Sequence, residues 1–550
     1  MKVSRVVEAR TIAHSPSGQF AASITGDRLL IRDVHINNQD RGCKLWIDPK
    51  QLISSKFSDD GSGLVLLSRN RVEVVSRKEP PHHLRVDNGS GALGFFQSAD
   101  FLGPGYLLTI WEFGRAKVWN IQTGSSTELG DIKTGCEGAS WTLRPRLKGL
   151  IPTLVHLAKN GADDVLCIRS QSGKVVKSLQ LLSIDVHDVS WSQDGRWFAL
   201  RDSPLFATDN GVHFYSPDGN RFMTYPRAPH HVDSDLGIKS VTWSPAGDLV
   251  ALSDFHGSLV FLDTMTFLPR ARSDHTSTIL QSEAEDSKVE ASIWRETASA
   301  SNERAYESKH QPATLVKTRS KPSADPQELG LAETIFNCTG RYLATRDERF
   351  QSTIWIWDIG QRISGQNHVG LHAVLMQYRN VRKVQWHPTR PHMLLFDCGE
   401  DTVYHYNVDT RDEPPSIVNM ASALKGSANY SWIPFPNDEL VILAATKRKH
   451  CMLYLFRAFD DTSDEVPCAQ PSHASMLAEE ANGESDLEDS LHDILRGRTP
   501  LPAPSHDSYT EMVGLENDAG AEMEDTFREK KRKSDVQSVE WDPLDDSDIF

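Results

Sequence analysis

Val241-Thr242-Trp243-Ser244-Pro245-Ala246-Gly247-Asp248-Leu249-Val250-Ala251-Leu252 is the stretch on which the reading of the fold turns. Val241 and Trp243 alternate with Thr242, the period of a strand with one buried face. Residues 244–248 then reverse the chain, since glycine tolerates positive φ and aspartate can bond its own backbone. Residues 249–252 return as a short apolar strand, and a further strand closes the unit at Leu262-Asp263.

The same arrangement recurs at Val189-Ser190-Trp191-Ser192-Gln193-Asp194-Gly195-Arg196-Trp197-Phe198-Ala199. Other copies begin near His14-Ser15-Pro16-Ser17-Gly18, Phe57-Ser58-Asp59-Asp60-Gly61, Phe336-Asn337-Cys338-Thr339-Gly340 and Val384-Gln385-Trp386-His387-Pro388. Third strands of one kind lie at Ala116-Lys117-Val118-Trp119-Asn120, Thr353-Ile354-Trp355-Ile356-Trp357-Asp358 and Thr402-Val403-Tyr404-His405-Tyr406-Asn407. Weaker copies surround Phe95, Trp141 and Trp432. Nine markers (Ser15, Ser58, Phe96, Trp141, Ser192, Ser244, Asn337, His387 and Ile433) are spaced by 43, 38, 45, 51, 52, 93, 50 and 46 residues.

A unit of three or four strands cannot bury both of its faces alone, and radial stacking of several solves that problem. The spacing suits a four-stranded propeller blade and is too long for a leucine-rich repeat. The expected fold is therefore all-β: a WD-type β-propeller with about nine blade-like repeats, either one large ring or two linked propellers. Two unrelated β-sandwiches would have no reason to repeat one strand–turn–strand unit with tryptophan at the same point. In a single ring, Arg5-Val6-Val7-Glu8 would supply the outer strand of the last blade, beside Cys451-Met452-Leu453-Tyr454-Leu455-Phe456, and so cover an open edge. Trp191, Trp243, Trp357 and Trp386 are read as blade-sealing core residues and not as ligand contacts.

The chain has 550 residues and a formal net charge of -16. That acidity is local: residues 461–550 hold 24 Asp/Glu against 7 Lys/Arg, so residues 1–460 are close to neutral. The expected organisation is a propeller body over 1–460, with a polar insertion at 264–329, and an acidic, mostly disordered tail over 461–550. Without a net basic excess, the body is not expected to bind nucleic acid unless charge gathers in a local patch. No run of about 18 apolar residues is present, so no ordinary membrane helix is expected. The start of the chain has no apolar core of a secretory signal. Seven scattered cysteines, an odd number with no C-x-x-C pair, suit a reducing compartment.

Within the insertion, residues 270–326 are polar and weakly alternating, which reads as a mobile loop or as a docking element. Val289, Ile293, Trp294 and Ala298 are spaced for a short amphipathic helix over 288–306. In the tail, Leu487-Glu488-Asp489-Ser490-Leu491-His492-Asp493-Ile494-Leu495 is an acidic–apolar segment of the sort that folds into a partner's groove. Lys530-Lys531-Arg532-Lys533 reads as a nuclear-import signal or as charge relief, and Trp541 as part of a short linear motif.

Catalytic signatures are missing. There is no phosphate-binding G-x-x-x-x-G-K-[S/T], no G-x-S-x-G elbow and no H-E-x-x-H. Gly89, Gly91 and Gly94 have dinucleotide-loop spacing but lead into a strand, so they are assigned to a turn. His82-His83 and His230-His231 lack nearby cysteines, and neighbours on a strand point apart. No catalytic, cofactor-binding or metal-binding residue is assigned, no cofactor is expected, and the protein is read as a non-enzyme.

Several stretches resemble the WD repeat-containing protein eight family in its filamentous-fungal form. They are Leu236-Gly237-Ile238-Lys239-Ser240-Val241-Thr242-Trp243-Ser244-Pro245; Leu107-Leu108-Thr109-Ile110-Trp111-Glu112-Phe113 with Val118-Trp119; Gly340-Arg341-Tyr342-Leu343-Ala344-Thr345-Arg346-Asp347 leading to Ile356-Trp357-Asp358-Ile359; and the opening His14-Ser15-Pro16-Ser17-Gly18 with Leu29-Leu30-Ile31-Arg32-Asp33-Val34. The resemblance spans roughly residues 3–458 and excludes the tail; the unit around 141–168 departs from the pattern. It implies a non-enzymatic adaptor in the cytoplasm and cytoskeleton, at a spindle pole body, centrosome or other microtubule-organising centre. The implied partners are a coiled-coil anchoring protein and a minus-end-directed kinesin-14, which together hold microtubule minus ends and balance spindle forces. Neither a membrane nor nucleic acid is an expected partner. The alternative is a propeller scaffold in translation or ribonucleoprotein assembly, which a basic patch concentrated on one propeller face would favour.

Overall fold

The computed structural model describes residues 2–455, apart from 5, 8–9, 34–40, 78–82, 90, 92, 182, 184, 204–210, 226–236, 281–290, 301–302, 319–329, 364–365, 425–427, 435–438 and 447. The expected disorder of the tail, its acidic–apolar segment at 487–495, the basic cluster at 530–533 and Trp541 lie outside the described residues, as do His82, His230 and His231.

Strands follow one another in nine blade sheets, beside one separate two-stranded sheet, and seven of the nine are four-stranded and antiparallel with the strands in simple sequence order. The first strands are Arg10–His14, Leu52–Phe57, Phe96–Phe101, Trp141–Leu143, Val186–Trp191, Ile238–Trp243, Leu331–Phe336, Lys383–Trp386 and Asn429–Ile433, which begin blades 1 to 9. Neighbouring blades bring their first strands together, as at Val186–Trp191 beside Trp141–Leu143 and Ile238–Trp243 beside Leu331–Phe336, so these strands form the inner ring. Second strands such as Gly63–Ser68 are buried throughout, whereas fourth strands such as Val175–Gln180 and Pro269–Asp274 are half exposed and form the rim. A register shift recurs near the start of the first strand in blades 1, 2, 3, 5, 6 and 7. Such bulges increase local twist, and their repetition marks the blades as copies of one unit.

The repeated turn has a physical explanation. Ser192 accepts a hydrogen bond on Oγ from Trp197 N (3.0 Å), and its own amide donates to Trp197 O (2.8 Å). Ser15 with Phe20, Ser58 with Gly63 and Asn337 with Tyr342 do the same. A small polar residue is therefore buried at each of these four hairpin mouths with its hydrogen bonds made. Gly340 follows at φ 77°, and a Cβ there would stand 2.5 Å from Ser244 Oγ in the preceding blade. Both the backbone angle and the close approach call for glycine.

Apolar clusters fill the seams. Trp191 belongs to the cluster between blades 4 and 5, Trp243 to that between 5 and 6, Trp357 to that between 6 and 7, and Trp386 to that between 7 and 8. All four are buried, as the sequence suggests. Their ring N–H groups find partners in three cases: Trp243 donates to Ser190 Oγ (3.1 Å), Trp386 to Ile335 O (2.9 Å) and Trp357 to Thr345 Oγ1 (2.9 Å).

The ends of the body meet. Lys2–Val3 pairs antiparallel with His450–Leu455, and Val7 exchanges two backbone hydrogen bonds with His450 (2.9 and 3.1 Å). The closing strand thus begins three residues before the expected Arg5, and Val3 and Val6 pack on the last blade. This pairing, with packed seams between every consecutive pair of blades, makes one nine-bladed ring and not two linked propellers.

Blade 7 departs from the sequence reading. The described residues of 288–306 do not form the expected helix. Ser292–Ala298 and Arg304–Lys309 are a β-hairpin, added in parallel to the edge strand Gln366–Met376 to give a six-stranded sheet. Ile293 joins the cluster between blades 6 and 7, while its neighbour Trp294 joins that between 7 and 8. Adjacent apolar residues that must face opposite ways demand a strand. The hairpin is locked by Glu296, which is buried and accepts hydrogen bonds from Tyr404 Oη (2.6 Å) and Tyr378 N (2.8 Å).

Blade 4, weakly patterned in sequence, is held by buried charge. Lys133 Nζ donates to Asp164 Oδ2 (2.8 Å), Asp185 Oδ1 (2.6 Å) and Val186 O (2.6 Å). Arg169 donates to His156 Nε2 (2.9 Å) inside the same sheet.

Candidate interaction surface

The residues that could have carried chemistry are structural. Gly89, Gly91 and Gly94 have positive φ and form consecutive turns that lead into Phe96–Phe101. His83 begins the rim strand His83–Asp87. Among the described residues, no group of three or more His, Cys, Asp or Glu is placed to hold a metal ion. His275 Nδ1 donates to Gly257 O (2.8 Å) and its Nε2 accepts from Thr345 Oγ1 (2.7 Å), which in turn accepts from Trp357. Burial lowers the His275 pKa to about 4, so the ring is neutral at physiological pH. With every polar atom engaged, this chain of hydrogen bonds fastens blade 7 and offers nothing to a ligand.

The exposed surface carries a separate signal. In a four-stranded up-and-down sheet, the connections from first to second strand and from third to fourth emerge on one face. On blades 4, 5 and 6 that face carries Leu147 and Ile151, Val175 and Val176, Phe222, and Met265 and Leu268, all exposed. These seven are most of the large apolar side chains that the described residues expose; the others are scattered over blades 2, 3 and 7 and the insertion. A concentration of this kind marks an interaction site.

The three blades join into one surface. Arg144 Nε donates to Gly195 O (2.7 Å), and Leu150 packs where a Cβ at Gly195 would lie, which ties the long turn of blade 4 to blade 5. Lys177 donates to Asp218 O (2.8 Å) at the rim of the same two blades. Blade 5 meets blade 6 through rings: Trp197 lies 4.8 Å from Phe222 and 5.3 Å from Phe267 between centroids. Arg196 reaches Met265 Sδ.

Phe267 explains how Met265 and Leu268 come to face outward. Asp263 Oδ1 accepts from Met265 N and Thr266 N, and Phe267 N donates to Asp263 O. Blade 3 has the same turn, in which Asn120 Oδ1 accepts from Gln122 N and Thr123 N and Gly124 N donates to Asn120 O. Gly124 has φ 70°; Phe267, at the matching position, has φ 55°. Among the described residues Phe267 is the one non-glycine in this region. Its ring is fully buried and stacks on Phe214 at 4.0 Å. Anchored there, the turn presents its two flanking apolar residues to solvent.

The surface is also basic. Residues 144–152, 171–177, 193–197, 216–222, 244–248 and 263–270 contain eight Lys/Arg and four Asp/Glu, in a body that is otherwise near neutral. Lys148, Lys174 and Arg221 are exposed. Sequence reasoning did not single out this face. The available signals were the turn Arg144-Pro145-Arg146-Leu147-Lys148-Gly149-Leu150-Ile151-Pro152, longer than its counterparts, and a phenylalanine where the turn chemistry requires glycine.

No family model matches the chain. The WD repeat-containing protein WRAP73 of Mus musculus is 26% identical over 402 residues, 70% of this chain and 82% of that protein. An uncharacterized WD repeat-containing protein of Schizosaccharomyces pombe is 27% identical over 298 residues, 53% of this chain and 56% of that protein. Among solved structures, the C-terminal WD40 domain of Sif2 aligns over 76% of this chain and 98% of its own at TM-score 0.40 and 10% identity. A eukaryotic initiation factor aligns over 76% and 88% at TM-score 0.45 and 11% identity. The nine blades make the body a closed β-propeller of the WD type, and the two relatives to which the chain is similar in sequence are both WD repeat-containing proteins.

Proposed function

We propose that this protein is a non-enzymatic adaptor at a spindle pole body or microtubule-organising centre, where it anchors microtubule minus ends with a coiled-coil partner and a kinesin-14. The observation that carries this reading is the resemblance of the stretches around Leu236, Leu107, Gly340 and His14 to the WD repeat-containing protein eight family. The similarity to mouse WRAP73 along most of that protein's length supports it. The mechanism is binding: a closed ring with fixed seams presents loops in constant relative positions, and it performs no chemical step. The protein would act in the cytoplasm, on the cytoskeleton.

Affinity purification of the full chain from dividing cells tests this. Recovery of a coiled-coil spindle-pole protein together with a kinesin is the expected result. Ribosomal or RNA-processing proteins in their place would overturn it. The second reading, a scaffold in translation or ribonucleoprotein assembly, draws on the basic surface of blades 4–6, because positive charge gathered on one face suits phosphate.

A further inference from the structure

We infer that the exposed apolar and basic face of blades 4–6 docks an amphipathic helix of a partner protein, one with an aliphatic stripe flanked by Asp and Glu. This rests on the adaptor reading and gives it a surface and a partner chemistry. The apolar component, Leu147, Ile151, Val175, Val176, Met265 and Leu268, is aliphatic or thioether in character. Branched and unbranched side chains of this kind take the i, i+3, i+4, i+7 residues of a helix, and methionine adapts to varied shapes.

Charge selects among helices. Lys148, Lys174 and Arg221 are exposed beside the apolar groups; of the carboxylates on this face Asp194 is engaged by Ser192 and Arg196, Asp248 by Ser244 and Asp263 by its own turn, and Asp218 is exposed, so positive charge remains in excess. A basic helix would meet like charge, and a neutral one would leave the lysines unanswered. Acidic flanks complement them and speed encounter. RNA suits the surface less well. Single strands need exposed rings on which bases stack, and Phe222 is the one exposed aromatic here, with Trp197 half-buried against it. Two of the guanidinium groups are also committed, Arg144 to Gly195 O and Arg146 to Leu102 O.

The test uses the full chain and fluorescence anisotropy with three labelled probes: a designed helix with a leucine stripe and glutamate flanks, the same helix with lysine flanks, and oligouridine. The glutamate helix should bind, and the double variant Leu147→Glu/Met265→Glu should weaken it by at least about tenfold. Phe113→Glu, an exposed change on the opposite connections of blade 3, should leave binding unchanged. Because all three positions are exposed, the variants should keep the wild-type melting temperature. Equal or tighter binding of the lysine helix, preferential binding of oligouridine, no binding of the glutamate helix, or indifference to the double variant each overturns the inference. Purification from dividing cells separates the two proposals. If the double variant recovers the coiled-coil protein as well as the wild type does, this surface is wrong and the adaptor role stands. If neither recovers it, the role itself is wrong.

Discussion

Phe267 holds a backbone conformation that L-residues other than glycine avoid at a cost of roughly 1–2 kcal/mol. It does so because its ring fills the seam between blades 5 and 6, against Phe214, Phe222, Trp197 and Trp243. Burial of a phenylalanine outweighs the strain, since truncating one in a core costs about 3–5 kcal/mol. The opposition predicts an inverted ranking. Phe267→Ala loses the ring and keeps the strained angle; Phe267→Gly loses the ring and relieves it. Glycine should therefore be the milder change by about 1 kcal/mol, although elsewhere it is the harsher of the two. Urea denaturation of both variants decides the matter, and an alanine variant at least as stable as the glycine one would refute the strain argument.

Among the elements, the closing strand is short and carries a large responsibility. Lys2–Val3 and Val7 cover the edge of His450–Leu455, and Val3 and Val6 add to the core of blade 9. Deleting residues 2–7 should cost about 2–3 kcal/mol from two half-buried valines and lost pairing, and it should also leave an open strand edge that invites self-association. Thermal melting with light scattering would show a lower transition and larger particles, reversed by adding a peptide of residues 1–9. An unchanged, monodisperse protein would mean that the ring does not depend on this strand. Its existence followed from the need to cover the open edge of the last blade; its start at Lys2 was not legible, because only pairing with the far end of the chain sets the register. The blades were legible where turn and seam use the same residues each time, as at Ser192 and Ser244. Blade 4 was faint because Lys133, Asp164 and Asp185 replace the aromatic pattern with buried charge that no periodicity reveals. The hairpin of blade 7 was misread since Ile293 and Trp294 serve different seams. The interaction surface was illegible for a related reason: exposed apolar residues brought together from three blades are far apart in sequence.

For the molecule as a whole, neutral histidines distributed around the ring make acid a general stress. Burial lowers the pKa of His14, His156, His275, His372, His387 and His405, on blades 1, 4, 7 and 8 and in the link from blade 6 to 7. For His156 and His275 the value is about 4. The unfolded chain takes up these protons near pH 6.5, whereas the folded ring resists them. A group of this kind contributes its full stabilisation above pH 6.5 and loses it as the pH falls towards 4. At pH 5 the loss is about 2 kcal/mol for each fully buried ring. Asp188, Asp254 and Glu333, whose burial raises their pKa, shift the balance the other way and gain importance only as the pH approaches the carboxylate range. The urea midpoint should therefore fall steeply between pH 7 and pH 5, across a window in which ordinary surface carboxylates stay ionised. In His275→Gln the amide can still donate to Gly257 O and accept from Thr345 but does not titrate, so that variant should show a shallower fall. A midpoint equal at pH 7 and pH 5, or a slope that His275→Gln leaves untouched, would show that these hydrogen-bonded histidines do not govern the stability of the ring.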